Sequence, residues 1–254
     1  MRLYLAACES QPGLMEEFQP PYILTSYEAI RNKKRSETVL NWVRNQWCKD
    51  VMLDSGAFSF SATGYGGANT SVEWERYVDA YSDFINASGI NHFFEMDVDD
   101  IIGLEKVEAL RRRIEHRTQK QTIPVWHRNR GWKYFERMCD EYKYVSIGGI
   151  AKNPNGPKIA KTFPYFIDCA HKKGCQIHGL GYTDIKNLKA NPFDSVDSSS
   201  WGCGSRYSVS YEMRGHTLVS HKNIYPGKRI DGKSIDRHNL EMWVKYARSI
   251  DYQR

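Results

Sequence analysis

Apolar residues fall along this chain in two rhythms. Short runs of three to six residues occur at 3–7, 22–25, 51–54, 92–97, 122–126, 144–147, 176–178 and 193–197. Runs this short, rich in β-branched and aromatic side chains, read as buried strands. Between most of them lie stretches of helical spacing, at 27–47, 71–87, 103–118, 132–141, 157–173 and 183–189. In the second stretch Trp74, Tyr77, Val78, Tyr81 and Phe84 recur at three- and four-residue intervals and build one apolar stripe, with Ser71 placed to cap the first turn. These aromatics belong to a core, not to a binding surface. Strands alternating with helices imply parallel pairing through right-handed crossovers, and eight such units predict a closed (β/α)8 barrel of the TIM type. After Trp201 the pattern weakens until 237–250, where Leu240, Trp243, Val244, Ala247 and Ile250 resume a helical period. The expected organisation is one domain over 1–254, with a short C-terminal helical extension from about 202 to 254.

Composition narrows the class of partner. The net charge of +6 is a mild excess that suits a polyanion. One basic cluster is Arg111, Arg112, Arg113, Arg117 and Lys120, at helical spacing; the other is Lys222, Lys228, Arg229 and Lys233, interleaved with Tyr225 and His221. A solvated helix face accounts for the first and a loop for the second. Only the second, which contains Pro226 and Gly227 and follows the last strand, reads as a nucleic-acid contact. The six cysteines form no CxxC pair, which argues for reduced thiols over a disulfide frame or a structural zinc. No apolar run approaches the ~20 residues of a membrane span, and Glu9 interrupts the first apolar run before it could serve as a signal peptide. A cytoplasmic protein is expected, in the host's cytoplasm if a phage encodes it.

Chemistry concentrates in three motifs. Leu53-Asp54-Ser55-Gly56-Ala57-Phe58, Ser146-Ile147-Gly148-Gly149-Ile150, and the span from Ile177-His178-Gly179-Leu180-Gly181 to Phe193-Asp194-Ser195-Val196-Asp197-Ser198 each place an acid, a glycine pair or a histidine at a strand's end. That is where a β/α barrel displays catalytic groups. Each motif alone is also ordinary turn or cap chemistry, and a lone histidine is more often a hydrogen-bonded core residue. Their order and spacing over roughly 51–201 resemble the tRNA-guanine transglycosylase superfamily, most closely its branch of phage and bacterial 7-deazaguanine DNA transglycosylases.

The resemblance implies a base exchange without redox or nucleotide cofactor. A carboxylate attacks C1′ of the sugar and holds the strand while one base leaves and another enters, as in retaining glycosidases. Two registers match the nucleophile motif, and the strand's end favours Asp197 over Asp194. Asp54 matches the general acid/base. Phe58 and His178, beside Gly179, match residues that stack on the base. Asp97 matches the acid that reads guanine, with Asp99 as the fallback, and Gly148, Gly149 and Ile150 match the backbone donors toward O6. His127 stands where the tRNA enzymes carry glutamine. A neutral histidine offers one donor where the amide offers two.

The tRNA enzymes also carry a cysteine-rich zinc site after the nucleophile, whereas Cys203 is the sole cysteine after Asp197 here. The zinc subdomain is therefore expected to be absent, with no metal bound. DNA becomes the expected polymer, with its target guanine flipped out or single-stranded, and a free 7-deazaguanine base the second substrate. Two other readings stay open: the same chemistry on tRNA, and a catalytically silent nucleic-acid-binding paralogue. Asp54, Asp97 and Asp197 together weigh against the second.

Overall fold

The two-residue alternation of side chains along each strand sorts this sequence into two cores. In the computed structural model, which describes residues 1–45, 47–60, 73–149, 160–182, 184–188, 190–222 and 231–251, all eight predicted strands form. They are β1 (Arg2–Ala6), β2 (Tyr22–Ser26), β3 (Asp50–Asp54), β4 (His92–Phe93), β5 (Val125–Trp126), β6 (Tyr144–Ile147), β7 (Gln176–Gly179) and β8 (Ser195–Ser198). The sheet runs β4-β3-β2-β1-β8-β7-β6-β5, all parallel. Its two ends meet at a parallel bridge between Phe94 and Ile123, where Ile123 N donates to Phe93 O at 2.8 Å and Glu95 N to Ile123 O at 3.2 Å. The ring is a TIM-type barrel.

Inside the ring pack Tyr4, Ala6, Tyr22, Leu24, Met52, Phe94, Ile123, Val125 and Tyr144. The opposite strand faces, with Leu3, Leu5, Ile23, Val51, Leu53, Val145, Ile177 and Val196, form the larger core shared with the helices. Those helices are α1 (Pro12–Phe18), α2 (Tyr27–Ile30), α3 (Lys33–Arg44), α4 (Trp74–Ser88), α5 (Asp99–Ile102), α6 (Leu104–Thr118), α7 (Trp132–Glu141) and α8 (Phe163–Lys172). The expected single helix over 27–47 divides because Asn32, in extended conformation, accepts from Arg35 N at 3.0 Å and caps a new helix. Gly103, at φ +81°, likewise separates α5 from α6. At 184–188 the expected helix is a series of turns, where Asn187 bonds back to Asp184 through both its amide nitrogens.

The extension holds more than a helix. Cys203–Tyr207 forms α9, Val209–Arg214 and Thr217–Lys222 form an antiparallel hairpin (β9 and β10), and Gly232–Asp251 forms α10. The fully buried Asn239 of α10 accepts from Tyr211 N and donates to Val209 O, which pins the hairpin's first strand to the helix. Trp201 Nε1 donates to Ala6 O at 2.8 Å and ties the start of this segment to β1. Among the described residues no helix is long and apolar enough to cross a membrane.

The α4 stripe does more than fill space. Trp74, Tyr77, Val78 and Tyr81 are buried against the barrel, while Ser71 lies outside the described residues. Tyr77 Oη donates to Ser55 O at 2.7 Å, and Tyr81 Oη lies 3.1 Å from Leu53 O and 3.0 Å from Phe94 O. The carbonyls on both sides of Asp54 are thus held by one helix. Tyr81→Phe removes the one hydroxyl hydrogen shared by these carbonyls, of which Leu53 O keeps the Phe94 amide at 2.9 Å. It is expected to cost about 1–3 kcal/mol, read as a lower urea midpoint at unchanged slope.

Candidate active site

Three acids converge electrostatically at the C-terminal ends of the strands. Asp54 ends β3 beside Ser26 of β2, and its Oδ2 accepts from Gly56 N at 3.0 Å and from the Ser26 side chain. Gly56 sits at φ +84°, where a Cβ would come within 2.6 Å of Glu28 Cβ, so only glycine turns the chain back onto the carboxylate here. Burial pushes Asp54 up to about 7, and the charges of Asp97 and Asp197 push the same way, against the opposing bonds from Gly56 and Ser26. A carboxyl tuned to neutrality can both give and take a proton.

Asp197 lies on the inner face of β8, beside Tyr4 of β1. Its Oδ1 accepts from Gly181 N at 2.6 Å and pairs with His178 Nε2 at 3.1 Å. Asp194, three residues earlier, faces the other way: its Oδ2 accepts from Ile177 N and pairs with His171 Nε2 on α8, both at 2.9 Å. The two registers of the sequence motif therefore occupy opposite faces of the barrel wall. Only Asp197 shares a space with Asp54.

Asp97 pairs through Oδ2 with His127 Nε2 at 2.9 Å. Burial works to lower His127, but the hydrogen bond and charge of Asp97 outweigh it and hold the imidazole above its ordinary value. Behind this pair lies a buried ion network. Glu95 Oε1 accepts from Arg130 at 2.7 Å and from Val125 N at 2.8 Å, and Arg130 also donates to Asp99 at 2.7 Å. Arg111 closes it on Glu95 at 3.2 Å. The network fixes the turn that carries His127 at the seam where the barrel closes.

The glycine pair has a steric reason. A Cβ on Gly148 would stand 2.7 Å from His127 Cε1 and from Val125 Cγ1, and Gly149, at φ +72°, lies under His127 Nδ1. The imidazole occupies the space that the glycines leave. Ile150 lies outside the described residues.

Several expectations change. His178 is fully buried, with Phe94 tilted on its ring at 5.4 Å and Tyr4 edge-on at 6.1 Å. It holds Asp197 and has no free face for a base. Gly179 points to the outer core, where a Cβ would meet Tyr182 and Val196 at 3.2 and 3.3 Å. Asp99 is committed to Arg130 and Asn129; burial works to raise it, but these partners keep it below the usual carboxylate range. It is not available as a reader of guanine. Phe58, on the short turn Ala57–Phe60 after β3, is 46% exposed.

The basic clusters separate clearly. Arg111 is buried on Glu95, while Arg113 and Arg117 bridge α6 to Asp79 and Asp83 of α4. That cluster is structural. Lys222 and Lys233 are exposed at the end of β10 and the start of α10; Lys228 and Arg229, between them, lie outside the described residues. The six cysteines are free thiols, and among the described residues no group of His, Cys, Asp and Glu is arranged to hold a metal.

Residues that sequence reading passed over are Ser26, Glu95, Arg130, Tyr144 and Ser195. Ser195 lay inside a motif already singled out. The others carry no local signature, since their partners are distant in sequence.

No family model matches the sequence, and no curated protein matches it. Among solved structures the chain is similar to "QR15, an Aldolase", with a TM-score of 0.50 and 10% identity over 78% of this chain and 89% of that one. It also aligns with the carboxyl transferase domain of Rhizobium etli pyruvate carboxylase at a TM-score of 0.45 and 12% identity, over 98% of this chain and 48% of that one. At such identities the first likeness speaks to the barrel fold alone, and the second adds nothing to it.

Asp54 also gives a stability test. An unfolded aspartate titrates near 3.9 and the folded one near 7, so the native state holds the proton more tightly and loses stability as pH rises between these values. The penalty is complete above about pH 7. Asp54→Asn removes it, and should stabilise the protein by roughly 2–3 kcal/mol more at pH 8 than at pH 5 in paired denaturation curves.

Proposed function

We propose that this chain is a base-exchange transglycosylase that replaces guanine in DNA with a 7-deazaguanine, preQ0 or a relative. The observation that carries the reading is the pairing of unlike acids: Asp54 is pushed up to about 7 by burial first and by the charges of Asp97 and Asp197, while Asp197 Oδ1 accepts two N–H groups. Two carboxyls driven apart by environment divide into acid and nucleophile.

With both donors on Oδ1, Oδ2 of Asp197 attacks C1′ as the C1′–N9 bond breaks, and that bond's electrons pass into guanine. Asp54 gives its proton to the leaving base. The incoming deazaguanine then loses its N9 proton to ionised Asp54, attacks C1′ and releases Asp197, which restores both side chains. Phe58 stacks on the base, and Asp97 accepts from guanine N1–H and the amine through the oxygen not bonded to His127. The bond and charge of Asp97 raise His127 above its ordinary value against its burial, which favours the doubly protonated ring whose Nδ1–H would meet O6.

DNA is favoured as the polymer by the segment after Asp197. It folds as α9, the β9–β10 hairpin and α10 and carries a single cysteine, Cys203, in place of the cysteine-rich zinc site of the tRNA enzymes. Lys222 and Lys233 flank the stretch proposed to grip phosphates. The protein should convert guanine to the deazapurine in DNA incubated with preQ0, read by mass spectrometry of a nucleoside digest, and Asp197→Ala should lower this at least a thousandfold. Conversion of tRNA in preference to DNA would reject the polymer. Conversion of neither would reject the reaction.

A further inference from the structure

Asp197 stands at the end of an unbroken line of polar side chains that crosses the barrel interior. Arg2 Nη2 lies 3.2 Å from Tyr144 Oη and 2.8 Å from Gln176 Oε1. The Tyr144 hydroxyl is bonded to Ser195 Oγ, Ser195 Oγ to His178 Nδ1, and His178 Nε2 to Asp197 Oδ1 at 3.1 Å. Four strands supply the line: β1, β6, β7 and β8. Tyr144, Ser195, His178 and Asp197 are all buried, so water does not substitute for a missing partner without cost.

Counting hydrogens gives the line a direction. Arginine only donates, and an ionised aspartate only accepts. His178 Nε2 must therefore carry the hydrogen shared with Asp197, and in the neutral ring Nδ1 is then bare. Its donor is the Ser195 hydroxyl. That commits the single hydrogen of Ser195, so Tyr144 must donate to Ser195 while accepting from Arg2. Every bond then points from Arg2 toward Asp197, and each donor polarises the next.

We propose that Arg2, Tyr144 and Ser195 form a one-way relay that fixes His178 as the Nε2–H tautomer, making His178 the positioning residue of Asp197. Its role as the holder of a nucleophile rests on the transglycosylase reading, whereas the fixed tautomer does not. None of the four residues touches the base or the strand. The relay orients one carboxylate oxygen and leaves the other for attack.

The test uses the whole chain with 15N-labelled histidine. His178, identified among the eight histidines by its loss in His178→Gln, should show a protonated Nε2 and a bare Nδ1 at neutral pH. Ser195→Ala and Tyr144→Phe each delete one oxygen and should preserve the fold. In Ser195→Ala the hydrogen should stay on Nε2, held by Asp197, while the Nδ1 15N shift moves as that nitrogen loses its donor. The same variant should also slow formation of the covalent adduct about five- to hundredfold, the cost of leaving one buried acceptor without its donor, with the KM for the free base unchanged. Tyr144→Phe should act in the same direction and more weakly. An Nδ1–H or doubly protonated His178 in the wild type, or an Nδ1 shift unmoved in Ser195→Ala, would overturn the relay. A fixed Nε2–H ring in a protein that exchanges no base would support the relay and reject the transglycosylase reading alone.

Discussion

A parallel sheet closed into a ring permits each inward side chain one place and no alternative. Shifting a residue by one position along a strand moves it from the ring's interior to the helix layer. This constraint decides what the acids can do. Asp197 lies within β8 and takes the inward side with Ser195, whereas Asp194 stands just before the strand and turns its carboxylate to His171 of α8. The same rule puts His178 and Ser195 inside with Asp197, where their hydrogen bonds have no competitor. Closure at Phe94 and Ile123 completes the ring beside Glu95, and the buried charges there fix the turn bearing His127.

Crowding three carboxylates at the end of such a ring is costly, and the cost is informative. Asp97 relieves part of its charge by pairing with His127 and Asp197 by accepting from His178 and Gly181, while Asp54 is left to take up a proton. The acid that burial penalises becomes the one pushed up to about 7. Function and instability then share one origin, since the burial and repulsion that make Asp54 useful cost nothing once it is neutral.

Much of the fold was legible because it rests on periodicity. All eight strand runs lie in the ring, and the aromatic stripe of α4 packs as its spacing requires. The hairpin after Trp201 was not read, although Val209, Tyr211 and Met213 alternate with polar residues ahead of Gly215 at φ +59°, a legible turn. The roles of side chains at the site were less accessible, because they depend on partners far apart in sequence. Nothing near Tyr144 announces Ser195, 51 residues on, and nothing in Ile177-His178-Gly179 says that Phe94 covers the imidazole. His127 looked like a deficient glutamine until Asp97 was found beside it. Arg111 looked like part of a basic face and is instead the counter-ion of a buried glutamate.

The central claim is that Asp197 bonds to the sugar while the old base departs. The most direct measurement is to quench the protein with a guanine-containing single strand, digest the adduct, and locate the modified carboxyl by peptide mass spectrometry. A deoxyribosyl ester on Asp197, absent from unreacted protein, is the predicted result. An ester on Asp194 or Asp54, or base exchange that proceeds with no ester at any aspartate, would contradict the account.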